Sequence, residues 1–299
     1  MRTATRPTLW FVGVTTASSS IMRLFPRWAE ALGLDAVIAG VDLPLGAGRD
    51  AYREVVTFLR DDPLSRGALV TTHKLDLLAA ARDLITTLDP LAARFAEVSC
   101  LARRADGLHG WAKDPVTAGL AIAAFLAPDH FARTGAPALV LGAGGAGCAI
   151  AWHLRAGRRG DPCAQVVLAE RRADRLAHAR HVLGDDASIR FVLDGDVDAL
   201  LAACPPGTLV VNATGLGKDA PGSPLRAPVF PEGAVAWDLN YRGELLFLAQ
   251  ARAAGITAVD GWRYFLHGWL AAIEEIFATP IPPAGPLFAE LAAIAARVR

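Results

Sequence analysis

The chain has 299 residues, 53% of them hydrophobic, which is ample apolar material for two cores and more length than one domain usually takes. Thirty basic and thirty acidic residues cancel, so no net positive field is available to hold nucleic acid or an anionic membrane surface. Cys100, Cys148, Cys163 and Cys204 are scattered without paired short spacing, which fits neither a zinc site nor a disulfide framework and suits a reducing cytoplasm. With no signal-like N-terminal segment and no run of eighteen apolar residues, a cytoplasmic chain that does not span a membrane is expected.

Short apolar runs bounded by turn residues alternate with alanine- and leucine-rich stretches, the rhythm of parallel α/β units. Leu9 to Val14 reads as a strand and Met22 to Leu34 as a helix. Asp35 to Val41 repeats the strand pattern, followed by a helix near Tyr52 to Arg60, a strand at Ala68 to Thr71 and a helix from Leu75 to Leu84. These elements describe an open α/β layer. Around Gly110 to Leu126 a loop leads into an apolar helix, and Thr134-Gly135-Ala136-Pro137 then punctuates the chain. Further strands are expected at 138–141, 165–169, 189–192, 209–212 and 234–238, as in a doubly wound sheet, with closing helices from Tyr264 to Phe277 and Pro286 to Val298.

Leu139-Val140-Leu141 runs into Gly142-Ala143-Gly144-Gly145-Ala146-Gly147 and then into a helix-forming segment, so strand, glycine turn and helix come in the order of a dinucleotide-binding Rossmann unit. Gly142 permits the tight turn, Gly144 lets the backbone approach a pyrophosphate, and Gly147 allows close packing of helix on strand. A glycine turn kept only for packing is the plainer alternative. Glu170 ends the next strand, where a carboxylate accepts from adenosine ribose hydroxyls and repels a 2′-phosphate. Arg171, Arg172 and Arg175 follow, and guanidinium groups invite that phosphate unless they only form a solvated helix face. NAD or NADP is therefore expected, with a slight preference for NAD.

The sequence resembles the shikimate dehydrogenase family along nearly its whole length. The doubled central glycine of the turn, Asn212-Ala213-Thr214 at a strand end, Asp238-Leu239-Asn240-Tyr241 as Asp-x-x-Tyr, and Asp260-Gly261 ahead of the last helices all match. In the first half, Val70-Thr71-Thr72-His73-Lys74 resembles Val-Thr-x-Pro-x-Lys with one residue deleted, and Gly110-Trp111-Ala112-Lys113-Asp114 resembles Gly-x-Asn-Thr-Asp. The resemblance implies an N-terminal substrate domain of residues 1–120, to which helices of 264–299 return, and a Rossmann domain of residues 121–263. It implies cofactor contacts from Gly142, Gly144, Gly145, Ala146, Gly147, Glu170, Arg171, Arg175, Asn212, Ala213, Thr214 and Gly261.

The resemblance also places Lys74 and Asp114 on the family's catalytic pair, in the cleft between the domains. Oxidising a secondary alcohol requires a base for its hydroxyl proton, and a lysine oriented by an aspartate can serve. On residue type alone the two read as surface charges. Substrate contacts are implied for Thr71, Ser99, Tyr241, His267 and, in place of the family's Ser-x-Ser-Pro, for Ser18, Ser19 or Ser20, which otherwise cap the following helix. Several positions depart from the family: Leu69 and Ala112 replace asparagines, Ser99-Cys100 replaces Asn-Thr, and Gly268, with His267 adjacent, replaces a glutamine. Losing these amides implies a changed substrate. The expectation is an NAD(P)-dependent oxidoreductase for a shikimate- or quinate-like alicyclic hydroxy acid, with no nucleic-acid or membrane partner and compatible with a homodimer. A dinucleotide- and metabolite-binding sensor without strong catalysis is the alternative.

Overall fold

The first apolar run forms β1 (Thr8–Gly13), buried along its whole length as an inner strand with parallel neighbours on both sides, of the kind whose two faces crossover helices cover. The computed structural model describes residues 3–156, 160–193, 195–217 and 220–299. They fall into two compact units, Met1–Lys113 with Gly268–Arg299, and Asp114–His267.

In the first unit β1 is followed by α1 (Ile21–Ala31), β2 (Val37–Asp42), α2 (Arg49–Asp61), β3 (Ser65–Val70), α3 (Lys74–Ala81), β4 (Thr87–Leu88), α4 (Pro90–Phe95), β5 (Cys100–Arg104) and β6 (Gly107–Trp111). Helix α1 stops three residues short of its apolar pattern because Gly33 turns left-handed at φ 66°, and the Leu34 amide then donates back to the Ala29 carbonyl. Among the described residues the sheet order is β2-β1-β3-β5-β6-β4. The sheet is mixed rather than parallel, since β5 runs antiparallel to both β3 and β6. Val12, Tyr52, Val56, Leu59, Val70 and Leu77 belong to its core.

The second unit contains α5 (Asp114–Ile122), α6 (His130–Thr134), β7 (Ala138–Leu141), α7 (Gly145–Arg155), β8 (Val166–Glu170), α8 (Ala173–Leu183), β9 (Ile189–Leu193), α9 (Val197–Ala202), β10 (Leu209–Asn212), β11 (Val235–Asp238), α10 (Leu246–Ala253) and β12 (Thr257–Val259). Its strands are parallel in the order β12-β11-β10-β7-β8-β9, the doubly wound arrangement. The order reverses between β7 and β10, where such sheets open a crevice beyond their strand ends.

The units part at 113/114 and 267/268, a few residues from the 120/121 and 263/264 read from the sequence. Helix α5 goes with the second unit because it packs on α7, where the His153 imidazole occupies the space a Cβ at Gly119 would need. The first turns of α11 (Trp262–Phe277) stay there too, with Tyr264 edge-on to Trp237 at 6.0 Å. The rest of α11 and α12 (Pro286–Ala296) complete the first core: Phe25 stacks on Phe277, and the buried Trp28 indole donates to the Leu291 carbonyl at 2.8 Å. Among the described residues, no helix is long and apolar enough to cross a membrane.

Candidate active site

The glycine turn joins β7 to α7 beside the sheet's reversal point. Gly142 sits at φ 101°, where a Cβ would stand 2.8 Å from the Ala213 carbonyl oxygen, and a Cβ on Gly147 would overlap Gly142 O. Both are glycine for packing. At Gly144 an added Cβ would meet nothing within 4 Å, so this position is open on the outside of the turn. Gly145, Ala146 and Gly147 form the first turn of α7, whose leading amides have no partner within the helix and present a positive dipole end.

Glu170 departs from its expected role. Its carboxylate accepts from the backbone amides of Ala143 at 2.9 Å, Arg171 at 2.7 Å and Arg172 at 3.1 Å, tying the glycine turn to the end of β8. With three of its roughly four acceptor positions used by backbone amides, little of this carboxylate is left for ribose hydroxyls, which weakens the argument for NAD. Arg171 is exposed beside it, whereas Arg172 pairs with Asp174.

Asn212, Thr214, Asp238 and Asn240 form one network between the ends of β10 and β11. Asn212 Nδ2 donates to Asp238 Oδ1 at 3.2 Å and to Leu216 O at 3.3 Å, while its Oδ1 accepts from the Thr214 amide at 3.1 Å and the Thr214 hydroxyl at 2.6 Å. The Asn212 amide is thus committed to shaping the loop through Ala213 and Thr214 and does not extend toward a ligand. Asp238 Oδ1 also accepts from Asn240 N, and Asn240 Nδ2 donates to Leu216 O. Burial pushes the Asp238 carboxyl up to about 6, against the lowering effect of those donors. Gly261 likewise has a packing reason, since a Cβ there would overlap Leu239 O.

Tyr241 packs against Trp262 and Phe265, with ring centroids 5.2 Å and 4.6 Å away. His267, two residues beyond Phe265 on α11, is buried, and desolvation with the nearby Arg263 charge lowers it to about 4. It is a neutral imidazole at physiological pH.

In the first unit the candidates gather at the C-terminal ends of β1 and β3. Thr71 follows β3 and donates its hydroxyl to Val12 O at 3.2 Å, and Lys74 opens α3, its amide closing a turn onto Thr71 O at 3.3 Å. The serine loop lies after β1, anchored where Thr16 N donates to Asp42 Oδ1. Thr16 Oγ1 fills the place of a Cβ at Gly40. Ser18 is exposed and donates to Thr15 O, whereas Ser19 and Ser20 are buried, and Ser20 makes no side-chain cap at the start of α1.

Ser99 is a different case. Its hydroxyl accepts from Lys113 N at 2.8 Å and donates to Trp111 O at 3.4 Å, leaving no O–H to give a substrate carboxylate. Next to it, Asp89 Oδ1 accepts from Ala112 N and caps α4 through Ala92 N. These two side chains hold the backbone leading to Asp114, which is buried as the first residue of α5. Asp89 escaped the sequence reading, although Asp89-Pro90 is a helix-start signal.

No model of a protein family matches the chain. It is 31% identical over 281 residues to the shikimate dehydrogenase (NADP(+)) of Sphingopyxis alaskensis, covering 92% of each chain. It is 32% identical to that of Caulobacter vibrioides, over 84% of this chain and 82% of the relative. The crystal structure of shikimate 5-dehydrogenase from Thermus thermophilus in complex with NADP(H) and shikimate superposes with a TM-score of 0.71 at 26% identity, over 98% of this chain and 99% of that one. Quinate dehydrogenase from Corynebacterium glutamicum shares the fold, with a TM-score of 0.72 at 19% identity over 98% and 99% of the two chains. Fold and relatives together define an NAD(P)-dependent oxidoreductase, not a binding-only sensor. The chain belongs to the shikimate dehydrogenase family.

Proposed function

We propose that this enzyme interconverts a secondary alcohol and a ketone on a shikimate- or quinate-like alicyclic hydroxy acid, using NADP. The observation that carries it is the open Gly144 position at the start of α7, beside the reversal of a doubly wound sheet, in a chain related over nine-tenths of its length to shikimate dehydrogenases. The turn from Gly142 to Gly147 fits a pyrophosphate, because the helix-start amides and the missing Cβ leave room and positive potential where the diphosphate needs both. When bound, the nicotinamide supplies the two-electron acceptor or donor. Glu170 is engaged by the turn, and Arg171 and Arg175, which follow β8, would pair with a 2′-phosphate on the adenosine ribose.

Lys74 takes the hydroxyl proton during oxidation and returns it during reduction, while the Asp114 carboxylate orients the lysine's amino group on that hydroxyl. Thr71, Ser19 and Ser20 bind the acid's carboxylate and hydroxyls, and Tyr241 orients the reactants from its aromatic cluster. We place the enzyme in the cytoplasm, where its free thiols stay reduced. Initial rates with shikimate, quinate and related cyclic hydroxy acids, each with both cofactors, test the reading. The expected result is turnover of at least one, with NADP ahead of NAD by about tenfold or more in kcat/KM. Equal or better use of NAD sinks the cofactor choice, and silence on every cyclic hydroxy acid sinks the substrate class.

A further inference from the structure

The turn that delivers Lys74 lacks the proline that precedes the family's lysine, and no side chain caps the start of α3. A different device fixes it. His73, 1% exposed, turns its ring inward, where Nε2 stands 3.1 Å from Leu43 O and Nδ1 2.9 Å from the hydroxyl of Tyr52, which is 2% exposed. A carbonyl can only accept, so Nε2 carries the proton, Nδ1 is bare, and the Tyr52 hydroxyl donates to it. Burial lowers the His73 pKa and keeps that neutral form. Each anchor is fixed in turn: Leu43 N donates to Gly13 O at the end of β1 at 2.8 Å, and Tyr52 lies within α2. The His73 carbonyl then receives Leu77 N at 2.8 Å as α3 begins.

We propose that His73, clamped between Tyr52 and Leu43, is a positioning residue that sets the place of Lys74 in the reaction, in the stead of the absent proline. The inference rests on the acid/base role assigned to Lys74 above. A proline would limit one backbone torsion. The imidazole instead ties the residue before Lys74 to helix α2 and to the segment that follows β2, so removing either tie lets the lysine start of α3 shift. Misplacement by about 1 Å can cost up to a hundredfold in rate, and the loss belongs to kcat more than to binding.

The test is a set of single variants measured for kcat, KM, NADP affinity and thermal midpoint, with Lys74→Ala as reference. His73→Ala should lower kcat of the folded enzyme by about tenfold or more while NADP affinity stays within about twofold. His73→Gln can keep the donor to Leu43 O and His73→Asn the acceptor for Tyr52, so each should recover part of the loss. Tyr52→Phe should lose about threefold to tenfold, and it decides the matter if His73→Ala does not fold. A merely structural pair would lower the thermal midpoint and leave kcat of the folded fraction unchanged. If His73→Ala or Tyr52→Phe keeps kcat within twofold of wild type while Lys74→Ala is inactive, the positioning role is wrong and the proposed function survives. If Lys74→Ala is itself unimpaired, the acid/base assignment fails and this inference goes with it.

Discussion

The two units build their candidate sites by opposite means. In the second, the site is mostly backbone: glycines at Gly142 and Gly147 that leave no room for a Cβ, one at Gly144 with open space, and a helix start. Its polar side chains, Glu170, Asn212 and Asp238, bond one another or the local backbone. In the first unit the site rests on side chains, and each candidate has to be sorted into those with hydrogen-bonding capacity left over and those already used. Ser99 belongs to the used group and Ser20 does not cap its helix, a distinction residue identity alone does not make. A site made of backbone announces itself through missing side chains, whereas one made of side chains depends on which partners the fold supplies.

The largest expected effect is on the side-chain site. Lys74→Ala should lower turnover by about a hundredfold or more with NADP affinity unchanged, measured by steady-state rates and by cofactor titration. A loss of cofactor affinity of the same size would erase the contrast between the units. Asp114→Asn should impair turnover less and raise the Michaelis constant as well, because a ground-state hydrogen bond is lost.

Next come two buried groups of the second unit with opposed proton linkage. Asp238 titrates near 6 when folded and near its ordinary 3.8 when unfolded, so its contribution to stability grows as pH falls through that window. His267 is pushed from 6.5 to about 4, so the unfolded chain binds the proton first and stability is lost as pH falls from 6.5 toward 4. Each change corresponds to about 3 kcal/mol, and in the wild type the two largely cancel. Urea unfolding between pH 4.5 and 7.5 should show Asp238→Asn losing stability steeply on acidification and His267→Gln gaining it. Parallel slopes in the two variants would refute the assignment.

Smaller effects separate space from packing within the glycine turn. Gly144→Val should weaken NADP binding by tenfold or more and leave the thermal midpoint near wild type, since its side chain meets no protein atom at the Cβ. Gly147→Ala should instead cost about 2 kcal/mol or more in stability, because its Cβ overlaps Gly142 O. Last, Ser99→Ala should cost about 1 kcal/mol through the lost bond to Lys113 N, with at most a modest change in the Michaelis constant. A large rise in that constant would restore Ser99 as a substrate ligand.

Much of the fold was legible because its signals are local. The turn Gly142 to Gly147 sits between a buried strand and a helix, and five of the second unit's strands fall within a residue or two of their apolar runs, whereas the short edge strand β12 was not read. The β5–β6 hairpin was not legible as such, because Cys100–Arg104 carries two arginines and β6 carries His109, so neither run looks apolar. The signal was the Asp106-Gly107 pair where the two-residue turn meets β6, with Gly107 at φ 135°. The site was legible in residue type but not in use. That Glu170 folds back on Ala143 N, and that His73 points into the core beside Tyr52, depend on contacts 27 and 21 residues apart in sequence. No local pattern encodes such partners.

The Trp28 bond to Leu291 also has a consequence for biosynthesis. Trp28 is fully buried, yet its indole N–H finds its acceptor only 263 residues later, and Arg23 likewise reaches the Val298 carbonyl. During translation the second unit, a continuous stretch from Asp114 to His267, can close its core while the first still lacks α12. The part of the enzyme that leaves the ribosome first is therefore the part completed last, and until then Phe25 and Trp28 of α1 lack their partners Phe277 and Leu291 and depend on whatever in the cell shields nascent chains.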